Sequence, residues 1–139
     1  MNGEDDLGLI VVDDLATLGT AYDEDEKAVD PMLGLKHLAA SLLLPVLAIT
    51  PLAHPPDDPE TYYPSLSNLP PNQIKQADTV LLAYSPAEYG FSSPAGADLS
   101  NVLELIVAKN RYGDEGSIHL EYDCWTKDCK SVGPEALSE

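Results

Sequence analysis

A strand, a helix and a second strand follow one another within the first 50 residues, and this order constrains the fold more than any other feature of the sequence. Leu7 to Val12 is a short apolar run, and Asp13 and Asp14 follow it directly. Such a run is typical of a buried strand in a parallel sheet. The segment 45–50, PVLAIT, has the same character. Because a helix is predicted between them, the two strands should be parallel neighbours joined by a right-handed crossover.

The predicted helix has clear start and stop signals. Asp30 is suited to cap the helix, and Pro31 is suited to its first position. Apolar side chains then recur at helical spacing, at Met32, Leu35, Leu38, Ala39 and Leu42. The helix should end before Pro45, because proline cannot continue it. The sequence therefore predicts a βαβ unit.

The second half of the chain predicts three more strands. Thr79 to Tyr84 is interpreted as a third buried strand. Val102 to Ala108 and Ser117 to Tyr122 should form a hairpin, because glycines 113 and 116 lie between them. The predicted loops are polar or rich in proline and glycine, and they cover 19–30, 51–72 and 85–100. We predict one domain over residues 1–123 and a polar tail over residues 124–139.

The charge of the chain argues against some classes of function. The 139 residues include 24 acidic and 7 basic side chains, which gives a net charge of −17. Nucleic-acid binders gain most of their non-specific affinity by neutralising phosphates with Lys and Arg, so most of this surface should repel DNA. Solubility, or adaptation to a salty cytoplasm, would explain the acidity. A partner with a basic face, or mimicry of DNA, would explain it as well.

The sequence indicates neither a membrane protein nor a metal site. The longest apolar stretch, 38–49, is too short to span a bilayer, and the acidic start does not resemble a signal peptide. We therefore expect a cytoplasmic protein. Cys124 and Cys129, with His119 nearby, provide too few ligands for structural zinc. We expect two free thiols, with a local disulfide as the alternative.

Four segments, in the correct order, resemble one known family. LGLIVVDDLATL resembles a Walker B strand, and GLKHLAASLLLPVLAITPL resembles the helix and strand that follow it. IKQADTVLLAY resembles the next strand, and NVLELIVAKNRYGDEGSIHLEYD resembles the closing hairpin. Together they resemble the C-terminal RecA-like ATPase domain of DnaB-like replicative DNA helicases. The resemblance implies an α/β fold, namely a truncated RecA-like P-loop NTPase core. Its sheet should be mostly parallel, with a C-terminal antiparallel hairpin.

The resemblance also assigns roles to three residues. Asp13 matches the Walker B aspartate, which holds Mg²⁺ beside ATP in such enzymes. Lys109 and Arg111 match a pair that reaches across a ring interface to the γ-phosphate of a neighbouring subunit. The plainer alternatives are that Asp13 only ends a strand, and that the two cations are solvated or pair with Asp114 and Glu115.

Departures from the family pattern weaken the nucleotide site. No phosphate loop of the form G-x-x-x-x-G-K-[ST] occurs in the 139 residues, so the amide cradle for phosphates is missing and Asp13 should be vestigial. The strand that closes in Ser-Gln-Leu in the family continues here as Thr50-Pro51-Leu52, without the glutamine that senses the γ-phosphate. We expect no cofactor for the isolated chain, although the family implies ATP and Mg²⁺.

The segments that match the family's DNA-binding loops are acidic. Residues 19–30 and 51–72 contain eight carboxylates, one lysine and no arginine, so we expect no direct DNA binding. His54 stands near a basic family position, and we interpret it as a surface histidine.

These observations predict a non-catalytic RecA/DnaB-helicase-like module, an interaction or regulatory remnant of the DNA replication or repair machinery. Such a module should bind a protein partner, or itself, through RecA-like interfaces, because a partial core exposes sheet edges. One alternative is the C-terminal piece of an active ATP-dependent replicative helicase, supplying Walker B and a trans arginine finger. Another alternative is an acidic regulator that mimics DNA.

Overall fold

A computed structural model describes residues 7–18, 21–22, 28–56, 62–91, 99–123 and 125–131. The chain divides into two units, the first comprising residues 1–53 and 70–77 and the second comprising 54–69 and 78–139. The helices and strands follow in the order β1 (Ile10–Asp13), β2 (Ala21–Tyr22), β3 (Ala28–Val29), α1 (Pro31–Leu42), β4 (Val46–Ile49), α2 (Pro71–Gln76), β5 (Thr79–Tyr84), β6 (Val102–Asn110), β7 (Gly116–Tyr122) and β8 (Cys129–Ser131). The predicted α/β class is confirmed.

The first unit is built on the predicted strand pair. β1 and β4 are parallel neighbours, in a register that runs from Ile10 opposite Val46 to Asp13 opposite Ile49. α1 lies between them in the chain and contacts β4. The predicted βαβ unit is therefore confirmed, and both strands end at the same edge of their sheet.

The start and the end of α1 follow the sequence signals. The carboxylate of Asp30 accepts the backbone N–H of Met32 at 3.0 Å, and Pro31 takes the first helical position. The helix ends at Leu42, and Leu43 then adopts a left-handed conformation with a φ of 55°. Because this conformation reverses the chain direction before the next strand, the helix stops where the sequence predicts it to stop.

α2 is absent from the prediction, since its start falls in the segment 51–72 that is predicted as a loop. Lys36 Nζ in α1 donates to the carbonyl oxygen of Gln76 at 3.1 Å, and Asn72 Nδ2 donates to Asp30 Oδ1 at 3.3 Å. A helix of six residues is marginal alone. These contacts with α1 and its cap explain why the helix forms without a strong apolar period of its own.

The second unit is an antiparallel sheet with the strand order β5-β6-β7-β8. The antiparallel part is therefore larger than the predicted closing hairpin. The parallel part is correspondingly smaller than the "mostly parallel" expectation, because among the described strands it comprises β1 and β4. The physical reason is the length of the connections: residues 111–115 join β6 to β7 and residues 123–128 join β7 to β8. Such short connections allow only antiparallel neighbours.

The core of the second unit lies on one face of β5. Val80, Leu82 and Tyr84 are buried there and alternate with exposed neighbours. Leu69 and Asn68, which precede β5 in the chain, are buried in the same unit. The alternation is the period-two pattern of a strand that is covered on one side.

Two short pairings also fall where the sequence predicts loops or a tail. β2 and β3 form a small antiparallel ribbon inside 19–30, while the acidic residues 23–26 lie outside the described part of the chain. β8 pairs with β7 inside the predicted polar tail. Cys129 in β8 is a free, exposed thiol, and Cys124 lies outside the described residues. Within the described ranges, the helices are too short or too polar to cross a membrane.

Candidate functional site

The carboxyl ends of β1 and β4 form the first candidate site. Asp13 ends β1 as an exposed residue, directly opposite Ile49 in β4. Thr50 and Pro51 follow Ile49, so the expected Walker B position and the expected sensor position are adjacent strand ends. The hydroxyl of Thr50 donates to the carbonyl oxygen of Pro51 at 3.3 Å. This edge is where the parallel sheets of α/β proteins place their ligand sites.

The two neighbouring aspartates at the end of β1 differ in their contacts. Asp14 Oδ1 accepts the backbone N–H of Thr17 at 3.1 Å, and the Thr17 hydroxyl donates to the Asp14 carbonyl oxygen at 2.8 Å. These bonds begin the 3₁₀ helix Leu15–Leu18, whose first residue is 5% exposed. Asp14 therefore has a structural role as a cap, and Asp13 is the carboxylate exposed at the strand end.

The side chains at this edge do not amount to a metal site. Mg²⁺ prefers six oxygen ligands in octahedral geometry, and in phosphate-loop ATPases these include phosphate oxygens and a loop hydroxyl. Asp13 supplies one carboxylate, and Asp14 already accepts a backbone N–H. Over the described ranges, no three His, Cys, Asp or Glu side chains lie together as metal ligands. The residues present therefore do not fit a self-sufficient Mg²⁺ site.

The second candidate site is the end of β6, which lies in the second unit. Lys109 is opposite Val80 in β5, and Arg111 follows the strand. Arg111 is bound to Asp78 twice: its backbone N–H donates to the Asp78 carbonyl oxygen at 2.9 Å, and its guanidinium Nη1 lies 2.5 Å from Asp78 Oδ1. The described ion pair of Arg111 is thus made with Asp78, rather than with Asp114 or Glu115 as the solvated-turn alternative expected.

The turn after β6 is held by a side chain of the strand. Asn110 Nδ2 donates to the Asp114 carbonyl oxygen at 3.3 Å, and Asn110 Oδ1 accepts the Tyr112 N–H at 3.2 Å. A Cβ atom on Gly113 would lie 2.8 Å from Asn110 Nδ2, so glycine is what allows the amide to fit beneath the turn. The turn fixes the backbone around the Lys109–Arg111 segment, as the predicted hairpin requires.

An aromatic cluster in the second unit is absent from the sequence prediction. Tyr62 and Tyr89 stack with centroids 5.1 Å apart, and Tyr63 meets Tyr84 edge-on at 5.1 Å. The Tyr63 hydroxyl donates to Glu104 Oε1 at 2.6 Å. Partial burial, together with this hydrogen bond, raises the pKa of Tyr63 to about 12. The sequence offers no signal for this cluster beyond the number of tyrosines, because its members come from separate loops and strands.

His54 is exposed, as expected of a surface histidine, and its backbone N–H donates to the Asn68 carbonyl oxygen at 3.4 Å. Asp13 belongs to the first unit, whereas Lys109 and Arg111 belong to the second. The structure therefore brings Lys109 and Arg111 together on one strand end and describes Asp13 in a separate unit.

The fold matches the RecA-like ATPase class. One solved ATPase domain, called the reference ATPase domain below, aligns with a TM-score of 0.70 and 21% identity, covering 90% of this chain and 44% of that one. A second structure, "The Structure Of A DnaB-Like Replicative Helicase And Its Interactions With Primase", aligns with a TM-score of 0.66 and 22% identity, covering 84% of this chain and 29% of that one. The parallel strand pair and the closing antiparallel sheet are thus parts of a helicase-type ATPase domain.

The family follows from the sequence comparisons. The model of the DnaB-like helicase C-terminal domain matches residues 1–129, and the chain belongs to this family. The replicative DNA helicase DnaB of Geobacillus stearothermophilus is 30% identical over 125 residues, which is 86% of this chain and 27% of that protein. A probable replicative DNA helicase of Trieres chinensis is 30% identical over 123 residues, which is 84% of this chain and 27% of that protein. The chain thus spans about a quarter of the length of these relatives.

Proposed function

We propose that this chain is a non-catalytic DnaB-like module that acts through protein contacts in DNA replication or repair. The observation that supports the proposal most directly is the end of β4. Pro51 follows Thr50 beside the exposed Asp13, at the place where the resembling family carries its glutamine sensor. Proline has neither a side-chain donor nor a backbone N–H. The γ-phosphate of a nucleotide at this edge would therefore find no sensor at this position.

The described residues add no compensating group at that edge. Asp14 caps the following 3₁₀ helix, and the Thr50 hydroxyl is turned to the Pro51 carbonyl oxygen. Anion binding in this class of fold depends on backbone amides of a glycine-rich loop and its lysine. Because the 139 residues contain no such loop, Asp13 would meet a nucleotide with charge repulsion rather than with an anion cradle.

The charge of the chain supports a protein partner rather than DNA. A net charge of −17 opposes contact with phosphates and favours fast association with a basic protein surface. One structural neighbour was solved as a helicase with its interactions with primase. A component of the replication machinery is accordingly the kind of partner that we propose, and the cytoplasm is the proposed location.

Titration of a fluorescent ATP analogue with the chain, with and without Mg²⁺, tests this function. We expect no measurable binding in either condition. As a sharper test, the matching segment of the Geobacillus stearothermophilus helicase can be replaced by this chain, with and without Pro51→Gln. We expect the first hybrid to assemble without ATP turnover. Micromolar binding by the chain alone, or turnover by the unmodified hybrid, would contradict the proposal.

A second candidate is supported by the end of β6. Lys109 and Arg111 are both present at the position expected of a trans finger pair, at the end of a well-formed strand. If the chain is a piece of a working helicase, Arg111 must leave Asp78 to reach a neighbour's phosphate. The unmodified hybrid would then hydrolyse ATP, and Arg111→Ala would abolish that activity. The same hybrid therefore separates the two candidates.

A further inference from the structure

The parallel strand pair of the first unit has one apolar face that is exposed. Four aliphatic side chains form this strand-face patch, namely Leu9 (47% exposed), Val11 (52%), Leu47 (45%) and Ile49 (44%). Val11 is opposite Leu47 in the strand register, so the two side chains project from the same face. The alternate residues of both strands are half-buried on the other face.

A strand pair of this kind is not expected to stay uncovered. Parallel sheets are normally buried on both faces, and a sheet of two strands is not stable alone in water. In the described part of the chain, neither β1 nor β4 has a second strand neighbour. The patch and the two open strand edges together therefore require a partner that offers both an apolar surface and backbone hydrogen bonds.

A second copy of this chain fits the patch poorly. Four half-exposed aliphatic side chains offer far less than the ~800 Å² that each partner buries in a standard interface. A second copy would also bring another net charge of −17, so repulsion would oppose a pairing through a small apolar surface. The occupant should therefore be larger and less acidic than this chain.

The structural comparison indicates what such an occupant looks like. This chain aligns over 90% of its length with only 44% of the reference ATPase domain. The larger part of that domain has no counterpart here, and it must pack against the part that does. We propose that the strand-face patch docks a separate polypeptide that supplies this unmatched part of a RecA-like ATPase domain. The inference rests on the proposed function and names its partner.

The test mixes the full chain with the unmatched part of the reference ATPase domain, produced separately, and measures binding by titration calorimetry. We expect a one-to-one complex, because the patch and open edges would both be covered. Leu47→Asp should weaken the affinity by about tenfold or more, since it places a charge in an apolar contact. Hydrogen exchange should slow in β1 and β4 on binding and stay unchanged in β7.

Leu43→Asp is the matched control, because it makes the same substitution at an 89% exposed position outside the patch. Aspartate also tolerates the left-handed conformation of Leu43. We expect this variant to keep its affinity within about twofold. Absence of a complex, equal weakening by both variants, or a dimer of this chain that Leu47→Asp dissolves would overturn the docking proposal. ATP hydrolysis by the complex would instead overturn the proposed function and leave docking intact.

Discussion

Asn68→Ala should destabilise the second unit more than any surface substitution. Asn68 is 1% exposed, and its side chain joins two separate backbone positions. Its Oδ1 accepts the Ser65 N–H at 2.7 Å, and its Nδ2 donates to the Pro55 carbonyl oxygen at 3.1 Å. The amide therefore holds the segment before β5 in a single conformation.

The magnitude follows from these two bonds. Ser65 and Pro55 are themselves exposed residues, so water can reach their backbone groups once the amide is removed. The loss is then nearer the net value of about 1 kcal/mol per hydrogen bond than the full cost of an unsatisfied group. A small cavity adds to it. We expect Asn68→Ala to lower the free energy of unfolding by about 2–3 kcal/mol.

Urea denaturation followed by far-ultraviolet circular dichroism measures this change. Asn72→Ala is the control, because Asn72 is exposed and makes one longer bond of 3.3 Å, and it should cost no more than about 0.5 kcal/mol. If Asn68→Ala also cost less than about 0.5 kcal/mol, the inference that the buried amide organises this segment would be refuted.

Asn68→Asp gives the same argument a pH dependence. The carboxylate could still accept the Ser65 N–H, but it could not donate to the Pro55 carbonyl oxygen, and burial would raise its folded pKa above the unfolded value. A group with a raised folded pKa contributes stability fully below its unfolded pKa of about 3.9, and this contribution is lost as the pH rises through the folded pKa. The variant should therefore be closest to wild type in acid. Equal destabilisation at all pH values would contradict this reasoning.

Three further predictions concern the second unit. A double-mutant cycle with Asp78→Asn and Arg111→Gln should give a coupling of about 0.2–1 kcal/mol, because the two side chains remain 40% and 47% exposed and water screens the pair; a coupling above about 2 kcal/mol in urea denaturation would contradict this. Tyr63 should ionise with a pKa of about 12, against an ordinary 10.0. The stability that this tyrosine contributes should be full below pH 10 and lost as the pH rises through 12; a tyrosinate absorbance titration in which Tyr63→Phe removes only an ordinary transition would disprove it. Leu82→Ala should cost about 2–5 kcal/mol, because Leu82 is 4% exposed, whereas Leu81→Ala, at a 47% exposed position of the same strand, should cost less than about 1 kcal/mol; equal losses in thermal unfolding would count against the burial pattern of β5.

The parts of the fold that are predictable carry local signals. Asp30 and Pro31 mark the start of α1, and the apolar runs before Asp13 and Thr50 mark the two parallel strands. β5, with its continuous apolar sequence, has its predicted bounds in the structure. Each of these signals depends on neighbouring residues only, so a single sequence contains it in full.

The parts that the sequence does not predict depend on contacts between distant residues. α2 is held by hydrogen bonds from Lys36 and to Asp30, and β2, β3 and β8 are too short to show a period. The partner of Arg111 belongs to the same class. Asp114 lies closer to Arg111 in the sequence, yet the pairing of β5 with β6 places Asp78 beside it. Strand pairing decides such contacts, and the sequence pattern does not reveal which strands pair.

The same distinction explains how this fold can keep its shape without the nucleotide chemistry of its family. β1 and β4 are joined by backbone hydrogen bonds and by half-buried aliphatic side chains, neither of which depends on the residue after Thr50. Pro51 lies beyond the last paired residue of β4, where a missing N–H removes no ladder bond. Asp14 still caps the next turn, so the β1 end keeps its geometry. Loss of the sensor glutamine therefore carries no folding penalty at this edge. A strand arrangement typical of the family is accordingly weak support for catalysis here, and the side chains at the strand ends have to decide the question.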